Sequence, residues 1–174
     1  CHGRPSLPSV AQKVKGLRPC GRNGAESWRR FRGMTPRPMS KADAATLDAL
    51  VEGLADPTAS DAPSSRRLGE DNDNDSGVMP LSIERIGPHM FSLAHYYRQN
   101  GDMMRDPDVE LHRDEQGRWF PVTFQQDGGR PVYTVAIEMD AQGISGVYRR
   151  RYAELRVFMR TWLENLRAQH EGIR

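Results

Sequence analysis

The chain has 174 residues and a formal net charge of +2, a length that suits one domain of ordinary size. Residues 1–33 contain eight basic side chains and one acidic side chain, so this segment is +7 and the rest of the chain is −5. The overall charge is therefore no argument for nucleic-acid binding by the folded part. Both cysteines, Cys1 and Cys20, precede the expected core, which excludes a disulfide framework, a cysteine-ligated zinc and a cysteine nucleophile there.

The first segment, residues 1–33, is rich in Arg, Gly, Pro and Ser and shows no helical or strand period. We expect a disordered basic leader that is either a basic arm or a sequence translated from upstream of a true start at Met34. No apolar run is long enough to span a bilayer, and no secretory pattern opens the chain. The expected location is the cytoplasm.

A short helix is predicted within residues 34–56. Ser40 can cap its first turn, Asp43 lies three residues on as the reciprocal acid, and apolar residues follow at helical spacing: Leu47, Leu50, Val51 and Leu54. Residues 57–77 then predict a flexible acidic linker, because they are rich in Ser, Asp, Asn and Pro. Alternate acids in the linker resemble a calcium loop, but the glycine and the final acid of that motif are missing.

Residues 78–170 have the pattern of a compact α+β domain. Alternating apolar residues predict about five antiparallel strands, near residues 81–84, 90–98, 109–113, 119–125 and 132–139. Asn100-Gly101 is a strong hairpin signal, because both central residues of a type I′ turn need positive φ. A long amphipathic helix follows. Its wide apolar stripe consists of Tyr148, Tyr152, Leu155, Phe158, Met159, Trp162, Leu163 and Leu166. This stripe should pack on the apolar face of the sheet.

The densest group of reactive side chains lies in the segment HYYRQNGDMMRDPD, at residues 95–108. Together with LSIERIG at 81–87, FSLA at 91–94 and WFPV at 119–122, it resembles a family of small uncharacterised domains encoded on bacterial plasmids, integrative elements and phages. The resemblance covers roughly residues 78–170 and the short helix. It implies a setting among mobile genetic elements and no established activity.

Eight side chains around the hairpin after His95 form the candidate functional surface: His95, Tyr97, Gln99, Asn100, Asp102, Arg105, Asp106 and Asp108. Strand alternation places His95 on the apolar side, where a histidine bonded to a carboxylate or carbonyl is the first interpretation and a metal ligand or general base is the second. Asp102 follows a glycine and Asp106 precedes a proline, so we interpret both as turn residues. The alternative is a divalent-metal site built from Asp102, Asp106, Asp108 and Glu110, with His95 as metal ligand or general base.

Four arginines of the long helix fall opposite its apolar stripe: Arg149, Arg156, Arg160 and Arg167. Such a basic stripe could follow the phosphates of a nucleic acid, and it is also typical of a solvated helix face. Phosphate-loop, nucleophile-elbow and HExxH motifs are missing from the sequence.

We therefore predict a non-enzymatic accessory or binding module of a mobile genetic element. It is expected to need no cofactor and no metal, and its partner is an unidentified protein or nucleic acid. Two alternatives remain. One is a metal-dependent enzyme that uses His95 and the acidic hairpin, and the other is nucleic-acid binding through the arginine stripe.

Overall fold

The computed structural model describes residues 30–31, 35–54, 64–69, 79–128 and 130–169. It contains two helices and nine strands in these ranges. In chain order they are β1 (Arg30–Phe31), α1 (Lys41–Val51), β2 (Ser65–Leu68), β3 (Leu81–Gly87), β4 (Met90–Gln99), β5 (Asp102–Arg113), β6 (Trp119–Gln126), β7 (Val132–Val135), β8 (Ile137–Asp140), β9 (Gly143–Tyr148) and α2 (Arg149–Gln169). The predicted α+β class, with a short and a long helix and an antiparallel sheet, is confirmed.

Helix α1 begins as its sequence predicts. The Ser40 hydroxyl accepts a hydrogen bond from the backbone N–H of Asp43, and it donates to the carboxylate of the same residue at 2.7 Å. The segment before the helix is fastened to α2, because the Tyr152 hydroxyl donates to the carbonyl of Arg37 and the Arg156 guanidinium donates to that of Pro38. These bonds fix the position of α1 on the long helix.

The main sheet has six antiparallel strands in the order β2-β3-β4-β5-β6-β7. The predicted turn at Asn100-Gly101 joins β4 to β5, and both residues have the positive φ that the turn requires, 53° and 90°. Strand β5 begins directly after it and is much longer than expected. Asp102, Asp106 and Asp108 therefore lie in a strand, and the interpretation of Asp102 and Asp106 as turn residues is wrong.

A bulge explains why β5 was not recognised along its whole length. Ala94 pairs with Asp108 and Tyr96 pairs with Arg105, so two residues of β5, Asp106 and Pro107, stand opposite one residue of β4. The extra residue breaks the alternation of apolar and polar side chains. A proline in the segment also favours a turn in any sequence-based interpretation.

Two expected irregular regions contain strands. Residues 65–68 lie within the predicted linker, yet they form β2 and pair with β3, so the linker prediction is wrong for these four residues. Arg30–Phe31 pair with Val147 and Tyr148 of β9, and the prediction of a leader without structure is wrong for that pair. The alternate acids at 71–75 and the remainder of the leader lie outside the described residues.

The predicted last strand is in fact two strands in different sheets. β7 is an edge strand of the six-stranded sheet. After Ala136 the chain continues as β8 in a three-stranded sheet of order β1-β9-β8. Ala136 links the two sheets, because its N–H donates to the carbonyl of Val122 in β6 and its carbonyl accepts from the N–H of Tyr148.

Helix α2 packs on one face of the main sheet, as predicted. Its buried side chains are those of the apolar stripe, and two ring contacts tie it to the sheet: Trp162 meets His95 at 5.5 Å and Phe158 meets Phe124 at 5.1 Å. Helix α1 covers the same face farther along, where Asp48 contacts Trp119 and Arg113. Neither of the described helices is long and apolar enough to span a membrane.

Candidate functional site: the polar outer face of the sheet

Both described helices pack on the inner face of the six-stranded sheet, and the opposite face is polar. We call it the outer face. Cross-strand register arranges its side chains in two rows that each cross all six strands. The first row is Arg67, Ser82, Ala94, Asp108, Gln125 and Tyr133, and the second is Ser65, Glu84, Ser92, Glu110, Thr123 and Val135.

The two carboxylates in the middle of the outer face are held by hydroxyl groups of neighbouring strands. Ser92 donates to Asp108 at 2.8 Å, and Thr123 donates to Glu110 at 3.0 Å. Both hydroxyl residues are buried in the sheet surface. The acids are therefore fixed in position on the strand, because a hydrogen bond to a buried neutral donor restricts the rotamers of the carboxylate.

Arg105 connects this centre to the end of the sheet. Its guanidinium lies 3.3 Å from Asp108 and 3.7 Å from Asp127, and its backbone N–H donates to Asp127. A hydrogen bond from the Gln125 amide is the main cause that lowers the pKa of Asp127; partial burial opposes it, and Arg105 adds to the lowering. A carboxylate, an arginine and a second carboxylate thus form a fixed chain of charges.

Two tyrosines stand beside these acids. Burial is the main cause that raises the pKa of Tyr96, and the negative charge of Asp108 adds to it. Burial likewise raises the pKa of Tyr133, with contributions from Glu110 and Asp108. Both hydroxyl groups therefore stay protonated at neutral pH and can donate hydrogen bonds to a ligand.

A shallow groove of about 330 Å³ lies at the β2 to β4 end of the outer face. Its lining includes small side chains, those of Ser82, Ser92 and Ala94, and larger ones, those of Arg67, Glu84 and Tyr96. Small side chains beside long charged and aromatic ones leave room for an extended chain or a single protruding side chain.

His95, the first candidate from the sequence, is placed on the opposite, inner face. It is buried, its ring Nδ1 lies 3.0 Å from the carbonyl of Pro80, and the ring contacts Trp162 edge to face. The first interpretation, a histidine bonded to a carbonyl at the edge of the core, is confirmed. Since Asp108 is on the outer face, the structure does not bring His95 and Asp108 into one site.

The other residues of the predicted surface are spread along the β4–β5 hairpin. Asp106 accepts a 2.6 Å hydrogen bond from Gln126, and exposed Asp102 pairs with Gln99 beside the turn at Asn100. Tyr97 points its hydroxyl at Gly128, where an added Cβ would lie 2.7 Å away. Among the described residues no three His, Cys, Asp or Glu side chains gather in a way that could hold a metal ion.

The arginine stripe of α2 does not form one open face. Arg156 donates to the carbonyl of Pro38 and lies over the Tyr152 ring, while Arg167 donates to the Thr46 hydroxyl and lies 3.6 Å from Asp43. These two side chains hold α1 and the segment before it. Arg149 and Arg160 remain on the exposed side of the helix.

Most residues of the outer face were not selected from the sequence. Only Asp108 and Arg105 belong to both sets, and Glu84, Ser92, Glu110, Thr123 and Tyr133 were missed as parts of one surface. Their signal is present, since Glu110 is two residues from Asp108 and shares its face. Grouping residues from six strands requires the register of every strand pair, and that register shifts in three of the pairs.

The match to a known family covers the sheet and α2. Residues 66–171 match the model of a domain of unknown function, DUF6908. The chain belongs to this family. The match begins within β2, so the DUF6908 domain contains the six-stranded sheet with nearly all of its outer face. No curated protein and no solved structure matches the chain.

Proposed function

We propose that this DUF6908 domain is a non-enzymatic binding module of a mobile genetic element and that it holds its partner on the outer face. The observation that carries the proposal is the pair of polar rows that crosses six strands with no described helix packed on them. A sheet face that is not part of the core carries side chains that are free to specialise for recognition.

The charges of this face favour a protein partner over a nucleic acid. Glu84, Asp108 and Glu110 lie in the rows at the centre of the face, and basic side chains of the same face are Arg67, Arg98 and Arg105. Phosphates would be repelled by the central acids, whereas basic and amide groups of a peptide would be attracted. The engagement of Arg156 and Arg167 in intramolecular contacts also weakens the case for phosphate binding by α2.

Binding is favoured over catalysis by the surroundings of the carboxylates. Asp106, Asp108 and Glu110 each accept a hydrogen bond from a neutral side chain of the domain, which fixes their positions and leaves further lone pairs for the donor groups of a partner. His95, the candidate base, lies on the inner face, away from these acids. The genomic setting rests on the resemblance of the HYYRQNGDMMRDPD segment and supports an accessory role.

The test is capture of partners by the tagged full chain in a bacterial host that carries its gene. Ser82→Tyr fills the groove, and Val157→Tyr is the matched control, since Val157 is 57% exposed on α2. We expect a protein that is captured by the native chain and by Val157→Tyr but lost with Ser82→Tyr. Capture that is equal in both variants, or that a nuclease abolishes, would contradict the proposal.

A further inference from the structure

The two edge strands of the six-stranded sheet, β2 and β7, differ in the charge of their side chains. Strand β2 has the sequence SRRL and carries two arginines, the usual protection of an exposed edge. Strand β7 has the sequence VYTV, carries no charge, and leaves Val132 42% and Tyr133 45% exposed. No described strand pairs with the outer edge of β7. An uncharged, β-prone edge of this kind is a template for the addition of a strand.

The register of β7 shows which backbone groups point away from the sheet. The N–H of Ala136 donates to Val122 in β6, and Thr134 pairs with Phe124 in the same register. Hydrogen-bonding directions alternate along an antiparallel strand. The backbone N–H and carbonyl groups of Tyr133 and Val135, and the carbonyl of Pro131, therefore point toward the free edge. Arg151 confirms this direction, because its guanidinium donates to the carbonyl of Val135 at 3.2 Å.

This edge is incomplete at both ends. Pro131 has no N–H to offer, and the Val135 carbonyl is already occupied by Arg151. The groups that remain are the Pro131 carbonyl, the N–H and carbonyl of Tyr133, and the Val135 N–H. If a strand of any other sequence paired with this edge, one of its N–H groups would face the occupied Val135 carbonyl. One of its carbonyls would face Pro131, which has no N–H, and both groups would stay unpaired.

We infer that the strand that fits this edge is β7 of a second copy of the chain, paired antiparallel about Tyr133. In this register Tyr133 exchanges two hydrogen bonds with Tyr133 of the second copy, and each Pro131 carbonyl accepts from the opposite Val135 N–H. Pro131, which has no N–H to donate, then lies opposite the Val135 carbonyl, which already accepts a hydrogen bond from Arg151. Every remaining group is paired, which is the self-complementarity that a two-fold interface requires.

The dimer would join two six-stranded sheets into one of twelve strands. A two-fold axis perpendicular to the sheet keeps both outer faces on the same side, and it places the two Tyr133 side chains directly opposite each other. The contact involves four backbone hydrogen bonds and short strands. Interfaces of this size associate weakly and reversibly.

The test is sedimentation of the full chain over a concentration series from about 1 μM to about 1 mM, the range in which small interfaces dissociate. We expect reversible formation of a dimer and no larger species. Tyr133→Pro removes one outward N–H that no bond among the described residues uses, and it should raise the dissociation constant about tenfold or more. Ser65→Pro, an outward position on the other edge, is the matched control and should leave the dimer unchanged.

A charge pair tests the predicted register. Tyr133→Lys and Tyr133→Glu each place like charges opposite each other in a dimer, so each variant alone should sediment as a monomer. Mixed in equal amounts, they should form a dimer again. A chain that stays monomeric at every concentration would overturn the inference, as would a dimer that persists in both charged variants. Thermal melting of each variant verifies that it is folded.

Discussion

The indole N–H of Trp119 donates a hydrogen bond to the Asp48 carboxylate at 3.0 Å, across 71 residues of sequence. Trp119 is fully buried at the start of β6, and Asp48 lies on the face of α1 that meets the sheet. The same carboxylate oxygen accepts from the guanidinium of Arg113 at 3.0 Å. This acid therefore joins α1 to β5 and β6.

Removal of that acceptor should destabilise the fold. Asp48→Ala leaves the Trp119 N–H without its partner and should cost about 1 kcal/mol, near the lower limit for such groups because half-exposed Asp48 lets water approach. Asp48→Asn keeps an acceptor oxygen and should cost less. Urea denaturation of both variants measures the difference, and equal losses would show that the indole hydrogen bond does not contribute.

Trp162 and Arg160 are two residues apart on α2 but should respond very differently to truncation. Trp162 is 8% exposed and contacts both His95 and Phe158, so Trp162→Ala should lower the free energy of unfolding by about 3 to 5 kcal/mol. Arg160 is exposed, and Arg160→Ala should change it by less than about 0.5 kcal/mol. Similar losses in the two variants would contradict the packing of α2.

Acidification should weaken the fold through His112. Burial is the main cause that lowers the pKa of this imidazole, which stacks on Phe120, although its hydrogen bond to the His89 carbonyl opposes the shift. The unfolded chain, with a histidine pKa near 6.5, then binds more protons than the folded chain in the window just below that value. Stability is therefore present above about pH 6.5 and is lost as the pH falls through the window.

Melting curves between about pH 7.5 and pH 5.5 measure this dependence, a range chosen around the ordinary histidine pKa. His112→Phe, which keeps a ring against Phe120, should flatten the curve. His89→Gln keeps the backbone carbonyl but removes the nearby imidazole whose charge also lowers the His112 pKa, so it should flatten the curve less than His112→Phe does. A slope that His112→Phe leaves unchanged would assign the effect to another group.

Divalent cations should not stabilise the protein specifically. Asp106 is bonded to Gln126, Asp108 to Ser92, and His95 lies on the other face of the sheet. A metal site filled at 100 times its dissociation constant would add about 2.7 kcal/mol, a shift of several degrees in melting temperature. Titration of Mn²⁺ at constant ionic strength, with Asp106→Asn as control, measures this. A saturable rise that the substitution abolishes would support the enzyme alternative.

The main elements could be predicted because their signals are local. Ser40 and Asp43 mark the start of α1, the stripe from Tyr152 to Leu166 marks α2, and Asn100-Gly101 marks the central hairpin. The errors occur where tertiary contacts override local signals. β2 is a polar segment that becomes a strand because β3 offers an unpaired edge, and Ala136 divides a continuous apolar run between two sheets.

The candidate site was harder to predict, because it depends on the face of the sheet on which each side chain lies. The side of the strand that His95 occupies followed from alternation and was correct, whereas the bulge at Asp106 and Pro107 reversed the alternation for the acids that follow the hairpin. Val135 is apolar, yet it lies in a row of mostly polar side chains on the outer face, opposite Thr123. Arg156 and Arg167 have no sequence signal for their distant partners, Pro38 and Thr46.

The first polar row sets a length scale for whatever binds the outer face. Arg67 and Tyr133 are at its ends, five interstrand steps apart, and at roughly 4.8 Å per step this is about 24 Å. A ligand that touches both ends must span that distance, which corresponds to about seven residues of extended chain. A shorter peptide can reach only one half, either the groove beside Arg67 or the acidic centre beside Tyr133. Affinity should therefore rise in a step when a peptide series passes this length.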